Sequence, residues 1–389
     1  MSPAEQTGDP KRPGAGVLAC HQLLALVREG VISAKAPIEE RQYQPASLDL
    51  RLGEKGHRMF CSFFPDPFQT IESRLRSPML YQSDLVMYDI DLRDGAVLEK
   101  GHVYLIPLLE ELGLPKQVAG KCNPKSTTGR LDVFTRTITD SNATFDLIRP
   151  GYHGPLYLEI VPRSFPVRVK AGMCLNQLRL VSGDPSVGDD ELRAAHESLT
   201  LLYGKNDAPV PAAEVQVNGG LFLRVDLHGD GEVIGFRAKK TTELIDLARI
   251  GYYDPCDFWE PLRRGRYDTL VLEPEDFYIL SSKERIRVPP AYAAEMVAFE
   301  AACGELRTHY AGFFDPGFGY GTGTLRGTPI VLEVRAHDVP FLIHDGQTLF
   351  KVLFERMNER PDKVYGEGIG SSYQFQGLTL SKQFKPYSG

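Results

Sequence analysis

Several things that would point to a particular chemistry are scarce in this chain of 389 residues. It has one Trp and six Cys. The cysteines, Cys20, Cys61, Cys122, Cys174, Cys256 and Cys303, form no C-x-x-C pair and no zinc-ligand spacing, so reduced and mostly buried thiols are expected. No run approaches the roughly 18 apolar residues of a membrane-spanning helix, and no G-x-x-x-x-G-K-[ST] loop is present. A basic excess is missing as well. The net charge of −7 argues against nucleic acid as the main partner, yet a local positive pocket for a small anion remains open. The opening stretch MSPAEQTGDPKRPGAG, residues 1–16, holds no apolar segment. It reads as a disordered leader rather than a signal peptide, and a soluble, cytoplasmic protein with no membrane partner is expected.

What the chain does have is a repeat. YLEI at Tyr157–Ile160 and VLEV at Val331–Val334 place Glu159 and Glu333 at a shift of 174. The same shift carries Glu99 to Glu273, Tyr104 to Tyr278, Pro115 to Pro289, Pro166 to Pro340, Gly172 to Gly346 and Leu175 to Leu349. One register over so many separate positions implies two tandem copies of one domain. Short segments such as HVYLIPL, LYLEIVP and IVLEVRA are rich in β-branched and aromatic residues and bounded by Gly and Pro turns. The expected fold is mainly β: two tandem distorted β-barrels with a few short helices.

Helical spacing appears at Leu18–Gly30, at Asp189–Gly204, which would close the first half, and at Thr241–Gly251 inside the second. The expected division is a first barrel over 17–204, a polar Pro-rich linker over 205–214, a second barrel over 215–357 and a tail over 358–389. That tail is rich in Gly and Ser yet carries Tyr365, Tyr373, Phe375 and Phe384. It could fold over a ligand or serve as a subunit-packing arm.

Three stretches carry candidate chemistry. Lys125 to Arg130 packs a Lys, three hydroxyl residues, a Gly and an Arg into one turn. Backbone amides, the Ser126, Thr127 and Thr128 hydroxyls, the Arg130 fork and the Lys125 point charge could converge on phosphate. The plainer alternative is a solvated hairpin. Strand alternation puts Tyr157 and Glu159 on one face, where a buried Glu would serve as a base; a solvent-facing strand acid is the alternative. The turns IRPGYHG and FDPGFG present Tyr152 and Phe318 as platforms for a flat base, or as simple packing.

Together these pieces resemble the dCTP deaminase family, relatives of the trimeric dUTPases. The family's R-S-S-x-x-R loop appears as Lys125-Ser126-Thr127-Thr128-Gly129-Arg130, with Lys for the first Arg. Its I-D-P-G-W turn appears as Ile148-Arg149-Pro150-Gly151-Tyr152, with Arg149 for Asp, and its L-E pair as Leu158-Glu159. The second half lacks the loop but keeps Asp315-Pro316-Gly317-Phe318 and Leu332-Glu333. It also carries a tail with Tyr365 and Gln376, in which Ser372 stands where the family has Lys.

The resemblance implies hydrolytic deamination of dCTP at C4 by a Glu-activated water, without the zinc of cytidine deaminases, and with Mg2+ carried on the triphosphate. It implies Arg149, Tyr152, Tyr157, Asp315, Phe318, Tyr365 and Gln376 around the nucleoside, and either Glu159 or Glu333 as the catalytic carboxyl. A site shared between the halves would use Glu333. A homo-oligomer, with a trimer of tandem chains favoured, and dTTP as a candidate inhibitor follow from the same likeness. Two alternatives stay open: a dUTP diphosphatase or bifunctional enzyme recruiting Asp315 or Asp140, and a non-catalytic deoxynucleotide sensor.

Overall fold

The computed structural model describes residues 14–76, 85–229, 231–298, 306–308, 312–320, 326–336, 338–366 and 377–388. The 174-residue shift is visible in the strands themselves. Val118–Pro124 and Tyr292–Ala298 match end for end under it, as do Cys174–Ser182 and Thr348–Arg356. Local contacts repeat too: the Tyr104 hydroxyl accepts from the Glu99 amide at 3.0 Å, and the Tyr278 hydroxyl from the Glu273 amide at 2.8 Å. The Arg51 amide donates to Glu110 and the Arg224 amide to Glu284, both at 2.8 Å, the acids 174 apart and the arginines one residue out of that register where the strand is irregular between Leu223 and Arg224.

The architecture is mainly β, as expected. In the first half one sheet runs Leu147–Ile148, Val118–Pro124, Cys174–Ser182, Ser47–Arg51, Tyr43–Gln44, with Gly16–Val17 beside Cys174–Ser182. A second runs Val133–Thr139, His153–Pro162, Tyr104–Gly113, Lys55–Met59, Val86–Asp91. In the second half the equivalent strands join into one curled ten-stranded sheet, with Phe277–Ile286 and Thr328–Ala336 paired at its middle. Alternation of buried and half-buried positions along Tyr104–Gly113 buries one face of each strand.

Each half has its own core, and the first core also takes in Phe236, Ile245, Leu247, Phe258, Trp259 and Phe277 from the second half. Buried apolar surface therefore continues across the junction, and the halves are fixed to one another by the same effect that folds each of them.

Several sequence expectations differ from what is observed. Thr241–Gly251 is not a helix: Ile245–Asp246 runs parallel to Val167–Val169 of the first half. The cause is the spacing of Ile245 and Leu247, two apart and both buried. Their amides donate to Pro166 and Arg168 carbonyls at 3.0 and 3.1 Å, bonds that a helix would have kept within itself. The helix Asp189–Leu199 does form, but Leu192 and Ala195 pack into the second core rather than closing the first. Gly16, taken with the leader, pairs with Ser182 on the first sheet. Among the described residues Cys20 and Cys122 are buried, Cys61 and Cys174 half-buried and Cys256 exposed, all as free thiols. No helix among them is long and apolar enough to cross a membrane.

Candidate active site

The strand Val118–Pro124 runs straight into the donor-rich turn. Lys125 is extended (φ −69°, ψ 147°) and anchored by its amide to the Leu175 carbonyl at 2.9 Å. One helical turn, Ser126–Gly129, follows, and its ladder begins with the amide of Thr128, bonded to the Lys125 carbonyl at 2.8 Å. The Ser126 and Thr127 amides come ahead of that ladder, as the first amides of any helical turn do. Asp132, at φ 54°, then turns the chain into the strand Val133–Thr139.

Not every donor of the turn is held open. The Thr128 hydroxyl donates to the Leu175 carbonyl at 2.8 Å, and Lys125 is ion-paired with the buried Asp49. Arg130 donates to the Thr379 carbonyl at 2.9 Å, so part of its fork is engaged by the C-terminal segment.

Opposite this turn stands the strand Thr328–Ala336 of the second half, which carries Glu333, 5% exposed. A Cβ on Gly129 would overlap Glu333 Oε2 and lie 2.8 Å from both Cδ and Oε1. The carboxyl of one half thus rests directly on the bare backbone of the turn of the other. Burial pushes the Glu333 carboxyl well above its ordinary range; the Arg130 charge opposes this and the Asp132 charge adds to it. Arg335, two positions along on the same face, is ion-paired with Asp132, whose Oδ2 also accepts from the Ser164 hydroxyl at 2.6 Å. A buried clasp between the halves therefore sits beside the carboxyl.

A cleft of about 1700 Å³ opens here. Of the residues singled out from the sequence, Lys125, Ser126, Thr127, Thr128, Arg130, Asp315, Phe318, Glu333 and Tyr365 line it. Phe318 packs on Tyr365 with ring centroids 5.4 Å apart, and the Tyr365 amide donates to the Pro316 carbonyl at 2.7 Å. Gly317 is required in that turn, because its φ is 95° and a Cβ would meet the Tyr365 amide at 2.7 Å. Asp315 is buried with Arg179 3.6 Å away, and burial pushes its carboxyl up to about 6.

Glu159, Arg149, Tyr152 and Tyr157 do not line the cleft. Glu159 is 1% exposed, accepts from Arg136 Nε at 2.9 Å and from the Ser62 hydroxyl at 2.7 Å. Arg136 in turn stacks over Phe145 at 3.9 Å. A cation, a hydroxyl and a ring thus occupy the space around that glutamate. Tyr152 is fully buried, its hydroxyl donating to the Pro155 carbonyl at 2.6 Å, and Arg149 is exposed outside it. Tyr157 packs against a small cluster with Met59, Phe63 and Ile71. Asp140 accepts from the Ile71 amide at 2.7 Å, also away from the cleft. Gln376 lies outside the described residues.

The cleft also contains residues that sequence reasoning passed over, among them Asp49, Gln177 and Lys382. Asp49 left a signal, since an acid inside the apolar strand SLDLR is buried only with a partner. Lys382 left none, because its neighbourhood is made by the chain folding back from the C-terminus.

Two β domains in tandem set a donor-rich turn of one against a buried carboxyl of the other, and a cleft opens between them. A family profile described as "2'-deoxycytidine 5'-triphosphate deaminase (DCD) N-terminal domain" matches residues 14–184, and one described as its C-terminal domain matches residues 188–384. The chain belongs to the dCTP deaminase family. It is similar to a solved 2'-deoxycytidine 5'-triphosphate deaminase from Agrobacterium tumefaciens, at 43% identity and a TM-score of 0.82, over 90% of this chain and 100% of that one. It also resembles the "dCTP deaminase, dUMP-forming" of Corynebacterium glutamicum, at 30% identity over 37% of this chain and 69% of the relative. That of Salinispora tropica is 29% identical over 42% and 77% respectively.

Proposed function

We propose that this chain hydrolyses dCTP to dUTP and ammonia in one cleft per chain, with Glu333 as the proton-transferring carboxyl and the Lys125–Arg130 turn as the triphosphate grip. The observation that carries the reading is the seating of Glu333 against Gly129, which sets an acid–base group and an anion site side by side. A carboxyl whose affinity for protons is raised by burial suits a role that both takes and returns a proton near neutral pH.

Glu333 takes a proton from water as the water oxygen bonds to C4 of the cytosine ring, and hands that proton to ring N3. The carboxyl then takes the remaining proton from the C4 hydroxyl and passes it to the exocyclic nitrogen; the C4–N bond breaks, ammonia departs and a C4 carbonyl remains. Water enters, ammonia leaves, and the carboxyl returns to its starting state. Phe318 and Tyr365 supply the face on which the base packs, and Asp315 the polar group beside the nucleoside. Mg2+ belongs to the substrate in this reading, carried on the triphosphate, and no step is assigned to zinc. dTTP, sharing the triphosphate and deoxyribose, is proposed as a competitive inhibitor.

Ammonia release measured across dCTP, dCMP, CTP and dUTP, with and without Mg2+, tests the reading. Release is expected from dCTP with Mg2+ and far less from CTP; equal rates for CTP and dCTP would refute deoxynucleotide selectivity. A second reading carries the reaction on to dUMP. The Corynebacterium and Salinispora relatives are named dUMP-forming, and Asp315 is a second acid in the cleft with its carboxyl pushed up to about 6. Separating dUTP from dUMP after incubation with dCTP distinguishes the two.

The chain is further proposed to form a homo-oligomer, a trimer of tandem chains by the family likeness. Phe60, Phe64 and Phe68, at 71%, 84% and 91% exposure, support association. A molar mass by light scattering equal to one 43.3 kDa chain would exclude it.

A further inference from the structure

The C-terminal segment of the second half crosses the donor-rich turn of the first, and is fastened to that turn before Lys382 and to its own half at and after it. Before that lysine, the Thr379 carbonyl accepts from Arg130 at 2.9 Å and the Ser381 hydroxyl lies 2.9 Å from the Thr127 carbonyl. After it, the Gln383 amide side chain donates to the Leu247 carbonyl at 3.2 Å. The Lys382 carbonyl itself accepts from the Gly251 amide at 2.9 Å. Leu380, Ser381, Gln383 and Phe384 are all buried, and Lys382 alone among them is exposed, its side chain lining the cleft with Lys125, Ser126 and Thr127.

The segment here is held at four points, two through its carbonyls and two through side chains, while one cationic residue lines the cleft. Such an arrangement keeps the ordering cost of a ligand contact low, because the segment is already in place. Lys125 and Lys382 stand beside one turn, with the Asp49 carboxylate acting on both. Lys125 is already paired with Asp49, so a second cation lining the cleft beside Ser126 and Thr127 adds positive charge where an anion would sit.

We propose that Lys382 is a polyphosphate ligand, delivered by the C-terminal segment of the second half to the turn of the first. The proposal rests on the nucleotide reading of the cleft. The full chain carrying Lys382→Ala is expected to show a KM for dCTP raised about tenfold with kcat within about twofold, while Lys382→Arg stays close to the parent. Titration calorimetry with inorganic tripolyphosphate should weaken by a similar factor in Lys382→Ala, and binding of uncharged deoxycytidine should not change. Unchanged tripolyphosphate affinity in a Lys382→Ala chain with the parent's thermal midpoint would overturn the proposal. Equal weakening toward deoxycytidine would overturn it too, since that reports a general loss of cleft structure. If the parent releases no ammonia from dCTP, the deamination reading fails by itself, and the tripolyphosphate titration still decides the role of Lys382.

Discussion

Glu333→Gln is expected to leave a folded chain that releases ammonia from dCTP about a thousandfold more slowly than the parent, the scale set by loss of a positioned acid–base group. The same variant should be more stable than the parent, and the gain should grow with pH. The sign follows from the raised proton affinity of the buried carboxyl. Above the ordinary Glu value of about 4.3, the folded chain holds a proton that the unfolded chain has released. Stability contributed by that proton is therefore lost as pH rises toward the folded value, at about 1.4 kcal/mol for each unit between the two. Gln carries no such linkage. Thermal midpoints at pH 5 and pH 8 check it: a Glu333→Gln advantage that is absent at pH 8, or larger at pH 5, contradicts the buried acid.

Glu159→Gln supplies the contrast. Glu159 is enclosed by Arg136 and Ser62 and lies outside the cleft. Gln keeps the shape but not the charge facing Arg136, so a loss of about 2 kcal/mol in stability is expected with kcat within about threefold. Turnover abolished by Glu159→Gln and kept by Glu333→Gln would reverse the assignment of roles.

Why was the choice between these two acids illegible in the sequence? Both sit in an identical strand context, Leu158-Glu159 and Leu332-Glu333, 174 apart, and local pattern treats them alike. What separates them is long-range: Ser62 and Phe145 arrive beside Glu159 through Arg136, whereas Gly129 of the other half arrives beside Glu333. The repeat, the β character and the turn at Lys125–Arg130 were legible because each rests on spacing within a short window. Ile245–Asp246 was misread as helix for the opposite reason. TTELIDLARIG has good helix ends, but its amides bond to Pro166 and Arg168, nearly eighty residues away, and tertiary pairing prevailed over local propensity. Tyr152 shows the same limit, since a turn aromatic can face a ligand or the core, and here it is fully buried.

Gly129→Ala should remove most of the activity while changing the fold little. Gly129 has an ordinary backbone conformation, so strain in φ is not why glycine stands there; space is. The added methyl would overlap both oxygens of Glu333 and its Cδ, the far end of a flexible side chain. The carboxyl swings aside more cheaply than either backbone moves. A destabilisation of about 1 kcal/mol is expected from the crowding, with kcat/KM for dCTP down about a hundredfold because the acid–base group is displaced by an ångström or more. Combining Gly129→Ala with Glu333→Ala separates the causes. With the carboxyl gone, the methyl has nothing to meet, so the stability cost of Gly129→Ala should vanish in that background. A cost that persists would place the clash elsewhere in the turn. Full activity in Gly129→Ala would mean that the contact between the turn and the carboxyl has no part in turnover.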